Sequence, residues 1–205
     1  MLTVDQLRCS RGDRMLFRGL SFAVSPGQVL AITGSNGSGK TTLLRTICRL
    51  APVDGGTISW QGRDIGTIAD HYLAQLLYIG HRNALKDDLT PGENLVALAR
   101  LGGVEPEPGT LLDSLDAVGL GRAVSRLPVR VLSEGQKRRV ALARLWCEPR
   151  PLWILDEPFT ALDASSVQIL RQRMQRHLDA GGLILTATHE PVGLSADAMR
   201  EIRLA

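Results

Sequence analysis

Aromatic side chains are scarce in this chain: three Phe, three Trp and two Tyr, or 4% of 205 residues. Base-stacking platforms need exposed rings at close intervals, so this scarcity argues against single-strand nucleic-acid binding. Cysteine is scarcer still, with only Cys9, Cys48 and Cys147 and no C-x-x-C spacing. An odd, scattered set excludes a disulfide framework and reads as reduced, buried thiols. Long apolar runs are missing too. VLAIT, LWIL and LILTAT fall far short of the ~20 residues that a membrane span needs. The start, MLTVDQLRCSRGDR, lacks the apolar stretch of a secretion signal. The chain is therefore expected neither to cross a membrane nor to leave the cytosol unaided. The net charge is +3, which suits an anionic ligand or a membrane-facing surface and is too weak to imply nucleic acid. There is no internal repeat and no low-complexity tail.

What remains is a chain long enough for one substantial core, with room for a small subdomain. VLAIT (29–33) is followed by a glycine-rich turn and the helical pattern KTTLLRTICRL. That order reads as a buried parallel strand, a loop and a helix. TISW, LLYIG, PLWIL and LILTA read as further strands, and MREIRLA as a last one. SSVQILRQRMQRHLDA is helical and stops at Gly181-Gly182. Alternating strands and helices predict an α/β fold with a parallel sheet. Residues 85–130 differ, with Pro91, Gly102-Gly103, Pro106 and Pro108 around two helical stretches and no convincing strand. They are expected to form a helical subdomain inserted into a core of about 1–84 and 131–205.

Chemistry enters at GSNGSGKT (34–41), which matches G-x-x-x-x-G-K-[ST] between a strand and a helix. Glycines let the backbone N–H groups of Gly34, Ser35, Asn36, Gly37, Ser38 and Gly39 wrap a phosphate. Lys40 would neutralise its β/γ oxygens, and the Thr41 hydroxyl would ligate Mg²⁺. LWILDEP is an apolar strand ending in two acids. Asp156 suits the metal, and Glu157 suits the general base for an attacking water. His189, just beyond LILTAT, is the candidate γ-phosphate contact. His71 and His177 have no suggestive partners and read as surface or packing residues. Lys137, Arg138 and Arg139 read as the solvated and interface face of one helix rather than a nucleic-acid patch.

A second anion site stands at VLSEGQKRRVALAR (131–144). Ser133 is placed as an N-cap, and Gln136 three residues on completes a capping box. Open N–H groups at a helix start attract anions. One small chain thus carries two phosphate sites.

The order P-loop, LSEGQ, LWILDEP, ALD (161–163) and His189 resembles the ABC-type ATPases, and the resemblance makes residues 1–205 a single ATP-binding domain. It implies two copies sandwiching two ATP molecules head to tail. Each signature helix then serves the ATP held by the other copy's phosphate loop, which explains the paired sites. Carried over, Gly34–Thr42 form the phosphate loop, and Ser133, Gly135 and Gln136 make the contacts in trans. Asp156 and Glu157 are the Mg²⁺ and water carboxylates, Asp163 reaches across the dimer, and His189 is the switch histidine. The implied ligands are ATP and Mg²⁺. The implied partners are integral membrane subunits and a second copy of the chain, with no nucleic acid.

Three positions depart from the family pattern. The signature usually reads L-S-G-G-Q, and here Glu134 is third. An acid in the first helical turn stabilises the dipole by ~0.3–1 kcal/mol. Facing a phosphate charge ~6 Å away, it would cost roughly 3 kcal/mol at an effective dielectric of ~20. Glu134 is therefore expected to point outward. His81, followed by Arg82, stands where the family usually has the glutamine that senses Mg²⁺ and the attacking water at the nucleotide, and a neutral ring nitrogen of His81 can still accept from that water. The adenine platform, usually aromatic, has Arg11 as its nearest candidate, stacking by its guanidinium plane.

Within the family, LFRGLSF, LLYIGH, VALARLW, LWILDEPFTALD and GGLILTATHEP are similar to the haem-export ATP-binding subunits of bacterial cytochrome c maturation. That likeness implies a peripheral subunit at the cytoplasmic face of the inner membrane. Its ATP hydrolysis would support haem export or its release to a periplasmic chaperone. The partner's cytoplasmic helix would dock around residues 78–101. An ATPase subunit for another small substrate, or a nucleotide-gated module with poor turnover, would share most of these motifs. No C-x-x-C-H haem motif is present.

Overall fold

Two long N-terminal strands, β1 (Leu2–Arg11) and β2 (Arg14–Val24), form an antiparallel hairpin that simple alternation does not signal. The reason lies at Gln6, whose φ is +48°. Apolar Leu2 and Val4 keep one phase and Leu7 and Cys9 the next, because the register shifts between Val4 and Leu7. Such an irregularity breaks a period-two pattern without ending the strand. The computed structural model describes residues 1–12 and 14–204.

The chain continues through β3 (Val29–Gly34), α1 (Lys40–Ile47), β4 (Gly55–Trp60), β5 (Arg63–Asp64), α2 (Ala69–Leu73) and β6 (Leu76–Ile79). Helices α3 (Pro91–Leu101), α4 (Pro108–Ala117), α5 (Arg122–Ser125) and α6 (Glu134–Cys147) follow. Last come β7 (Leu152–Asp156), α7 (Ala164–Asp179), β8 (Leu183–Ala187) and β9 (Met199–Leu204). One sheet has the order β2-β1-β4-β5 and the other β6-β7-β8-β3-β9. In the second, the pairs β7–β8, β8–β3 and β3–β9 are parallel. Each of the six runs proposed as strands overlaps a strand. Among the described residues no helix is long and apolar enough to cross a membrane.

Two units divide the chain. The first comprises Met1–Tyr78, Arg150–Glu157 and Gln175–Ala205. Its α1 packs against strands of both sheets, with Leu43, Leu44 and Ile47 fully buried. Burying each such side chain stabilises by about 1.5–3 kcal/mol, and this fixes the helix that follows the phosphate loop. His177 proves to be a packing residue: its ring stacks on Trp153 at 3.7 Å and 5°. Gly182 is required there, since a Cβ on it would meet His177 Nε2 at 2.2 Å. All three cysteines are buried and free. Burial pushes the Cys147 thiol up to about 11, and it pushes Cys48 further, helped by the charge of Asp156.

The second unit comprises Ile79–Pro149 and Pro158–Met174. Its core joins α3, α4 and α6 through Leu95, Leu115, Val140 and Ala143. Thr90 and Glu93 cap α3 reciprocally, with Pro91 in the first turn. The Arg173 guanidinium donates to Leu145 O, one of the carbonyls left over at the end of α6, and lies over the Trp146 ring. One expectation is corrected here. Arg138 is not on a solvated face; it is 3% exposed, turned toward the loop that follows β6.

Candidate active site

Strand β3 delivers the chain into the phosphate loop at Gly34, whose φ is +142°. A Cβ there would lie 2.5 Å from Leu204 O and 2.7 Å from Ser38 Oγ, so only glycine closes the turn. Ser35, Asn36 and Gly37 are exposed, and Gly39 at φ +101° caps α1. Lys40 is buried, its Nζ donating to Gly34 O at 2.9 Å and Ser35 O at 3.1 Å. Its ammonium therefore sits inside the curve of the loop. The buried Ser38 hydroxyl has no hydrogen-bond partner among the described residues. A cation in a glycine-lined curve with an unsatisfied hydroxyl fits a phosphate chain.

Beside the loop, β7 ends at Asp156, 1% exposed, whose Oδ1 accepts from Thr41 Oγ1 at 3.2 Å. Glu157 follows with φ +50°, a conformation that costs a non-glycine residue about 1–3 kcal/mol. Its N–H donates to Ala187 O at 2.8 Å, which holds the strained residue at the carboxyl end of β7. Glu157 Oε1 lies 3.5 Å from His189 Nε2, and the two side chains are 20% and 51% exposed. Lys40, Thr41, Asp156, Glu157 and His189 thus converge at the carboxyl ends of neighbouring strands, where open α/β sheets bind ligands. A cavity of about 510 Å³ opens here, lined by Gly34, Ser35, Asn36, His189 and Arg203. A slightly larger one, about 530 Å³, opens at the other end of α1 around Arg49, Leu50 and Ile65. It holds none of these groups, so size alone does not locate the chemistry.

In the second unit, Ser133 caps α6: its Oγ accepts from Gln136 N at 3.2 Å, and Gln136 Oε1 accepts from Ser133 N at 2.9 Å. Each side chain accepts from the other residue's backbone N–H, leaving the first-turn N–H groups of Glu134 and Gly135 without intrahelical acceptors. The Glu134 carboxylate, 75% exposed, pairs with Lys137 Nζ at 3.0 Å. Such a pair adds ~1 kcal/mol at most, yet it aims the acid along the helix flank. Asp163 Oδ1 accepts from Ser166 N and Ser165 Oγ, both at 2.8 Å, at the start of α7. These bonds, the Ser166 N–H first, hold its carboxyl at about 2, so it stays ionised throughout the working pH range. His81 and Arg82 are exposed in the loop after β6.

Arg11 lies at the hairpin tip, paired in register with Arg14. The hairpin residues that reach the phosphate loop are Leu16 and Phe17, within 3.5 Å of where a Gly39 side chain would begin. Nothing in the sequence marks Leu16; only tertiary packing distinguishes it from other apolar residues.

The described family model for ABC transporters matches residues 17–160. The chain belongs to the ABC transporter family. This ABC ATPase is 49% identical over its full length, and the full length of its relative, to "Cytochrome c biogenesis ATP-binding export protein CcmA" of Dechloromonas aromatica (strain RCB). The solved "Structure of ATP binding subunit of ABC transporter" is 30% identical with a TM-score of 0.80, over 92% of this chain and 79% of that one. The ATP-binding cassette MJ0796, a dimer in a post-hydrolysis state with ADP and Pi, shares the fold at 20% identity and a TM-score of 0.80, over 93% of this chain and 88% of that one.

Proposed function

We infer that this ABC ATPase is the ATP-hydrolysing subunit of a cytochrome c biogenesis complex and powers haem export, with release of haem to a periplasmic chaperone. Its partners are integral membrane subunits, and it works at the cytoplasmic face of the bacterial inner membrane. The observation that carries this reading is the likeness to a cytochrome c biogenesis export protein along the whole of both chains.

The residues divide the reaction among themselves. On ATP binding, the Lys40 ammonium exchanges the carbonyls of Gly34 and Ser35 for β- and γ-phosphate oxygens, while backbone N–H groups of residues 34–39 wrap the chain of phosphates. Thr41 Oγ1 and the Asp156 carboxylate are hard oxygen donors that fit Mg²⁺. Among the described residues no group of three or more His, Cys, Asp or Glu side chains could hold a metal, and Mg²⁺ commonly takes one or two protein ligands with phosphate and water. When bound, the ion offsets phosphate charge. Glu157 accepts the proton of the attacking water, and His189, 3.5 Å away, holds Glu157 and meets the γ-phosphate. Leu16, rather than Arg11, offers the apolar surface beside the loop for the base.

Two copies complete each site head to tail, through Ser133, Gly135, Gln136 and Asp163 of the opposite copy. Gly135 carries a direct prediction. A Cβ on it would lie 2.8 Å from Ala161 O, and Ala161 is itself held at φ +64°. Gly135→Ala must displace the segment leading to Asp163. It is expected to weaken ATP-driven dimerisation about tenfold or more while the single chain binds ATP normally. Analytical ultracentrifugation with and without ATP reads this directly, and dimerisation equal to the parent's would refute it.

Affinity purification of the tagged chain from gently solubilised membranes, with mass spectrometry of what accompanies it, tests the wider reading. Membrane proteins of cytochrome c biogenesis are expected. A different permease would keep the ATPase chemistry and discard haem, and recovery with nucleic acid would overturn the transport role.

A further inference from the structure

A cation buried without strong partners is costly, so one that the fold retains in a helix core has its bonds for a reason. Arg138 is such a group. Its Nη1 donates to Gly80 O at 2.9 Å and to Asn83 Oδ1 at 3.2 Å. Those two acceptors bracket His81 and Arg82, whose side chains are exposed. The far side of the same loop is fastened independently. Asn94, 1% exposed, accepts from Lys86 N at 2.7 Å and donates to Lys86 O at 3.0 Å and Leu89 O at 3.3 Å. Between the two fastenings Ala84 is held at φ +54°, a conformation that persists only where surrounding bonds impose it. The loop is therefore pinned on both sides, with His81 displayed next to the Arg138 pin.

The other end of the connection is helix α6. Arg138 lies five residues after Ser133, whose hydroxyl caps that helix, and three after Gly135, which packs against Ala161 O. One helix thus carries the signature cap and grips the His81 loop from within a packed core.

We propose that Arg138 is a positioning residue for ATP hydrolysis: it ties the His81 loop to α6, so that loop and signature cap move as one body. This rests on the reading that places His81 at the nucleotide. These two bonds come from a single nitrogen, so holding the loop takes a donor with two N–H groups at that point. Lysine can supply the donors on a shorter stem, whereas methionine fills the volume and supplies none.

The test is a double-mutant cycle on the full-length chain with its membrane partners, recording kcat, KM for ATP and thermal midpoint. Arg138→Met is expected to lower kcat roughly tenfold or more with KM within about threefold, as for a misplaced catalytic group. Arg138→Lys is expected to recover most of that loss. In a His81→Ala background, Arg138→Met is expected to add nothing, because the two act as a unit. Asn83→Ala, which cuts one bond from the loop side, is expected to lower kcat in the same direction and also to add nothing to His81→Ala. It keeps the proposal open to refutation if Arg138→Met fails to fold. Losses that add to His81→Ala would show that Arg138 acts elsewhere and overturn the proposal, leaving His81 in its role. Full activity in His81→Ala alone would instead overturn the reading on which the proposal stands.

Discussion

Glu157→Gln is expected to lower ATP turnover by about 100-fold or more, the usual scale for losing a general base, while ATP still binds and the ATP-bound dimer persists. The substitution is nearly isosteric. The backbone at φ +50°, the bond from its N–H to Ala187 O and the proximity to His189 are independent of the carboxylate charge. What disappears is the carboxylate able to take a proton from water at the strand's end. Asp156 cannot substitute, because it is 1% exposed and its Oδ1 is engaged by Thr41. Glu157→Ala should be as inactive but should also loosen His189, so its dimer should be the less stable of the two. Steady-state hydrolysis and ATP-dependent sedimentation separate these effects. Turnover in Glu157→Gln above about a tenth of the parent's would remove Glu157 from the role of base.

That site was legible because its parts are local. Eight consecutive residues, 34 to 41, specify a phosphate loop, and an apolar strand ending in two acids announces itself within seven. The capping box of α6 is equally local, and Ser133 and Gln136 form it. What the chain conceals depends on partners far away in sequence. Arg138 looked like part of a solvated basic run because its acceptors, Gly80 and Asn83, are 58 and 55 residues distant. Gly135 gives no local sign that a carbonyl at Ala161 fills the space of its missing side chain. The β1–β2 hairpin hid because an irregularity at Gln6 changes the phase of its apolar residues midway. Position along the chain points to Arg11 for adenine, and packing brings Leu16 and Phe17 to the loop. Short-range signals identify chemistry; the tertiary bonds that aim it do not show in the sequence.

Lys40→Ala is expected to weaken ATP binding about 30- to 4,000-fold, and opposing terms set that range. An ammonium ~4 Å from a phosphate charge gains roughly 4 kcal/mol at an effective dielectric of ~20, hence ~8 kcal/mol for two such charges. Against this stand its bonds to Gly34 O and Ser35 O, which must be given up. Each charge-assisted bond contributes roughly 1.5–3 kcal/mol. The difference, about 2–5 kcal/mol, yields the quoted range. Turnover should fall further, since charge grows at the same oxygens as the γ-phosphate departs. Lys40→Arg keeps the charge and separates electrostatics from fit. The lysine is 8% exposed and ends against two carbonyls about 3 Å away, so a longer, planar guanidinium overfills the curve of the loop. It is expected to restore less than a tenth of the lost affinity in titration calorimetry with ATP. Full rescue by arginine would mean that charge alone suffices and that the loop's shape is not selective. Binding by Lys40→Ala within about threefold of the parent's would mean that the backbone N–H groups and the metal already saturate the phosphates.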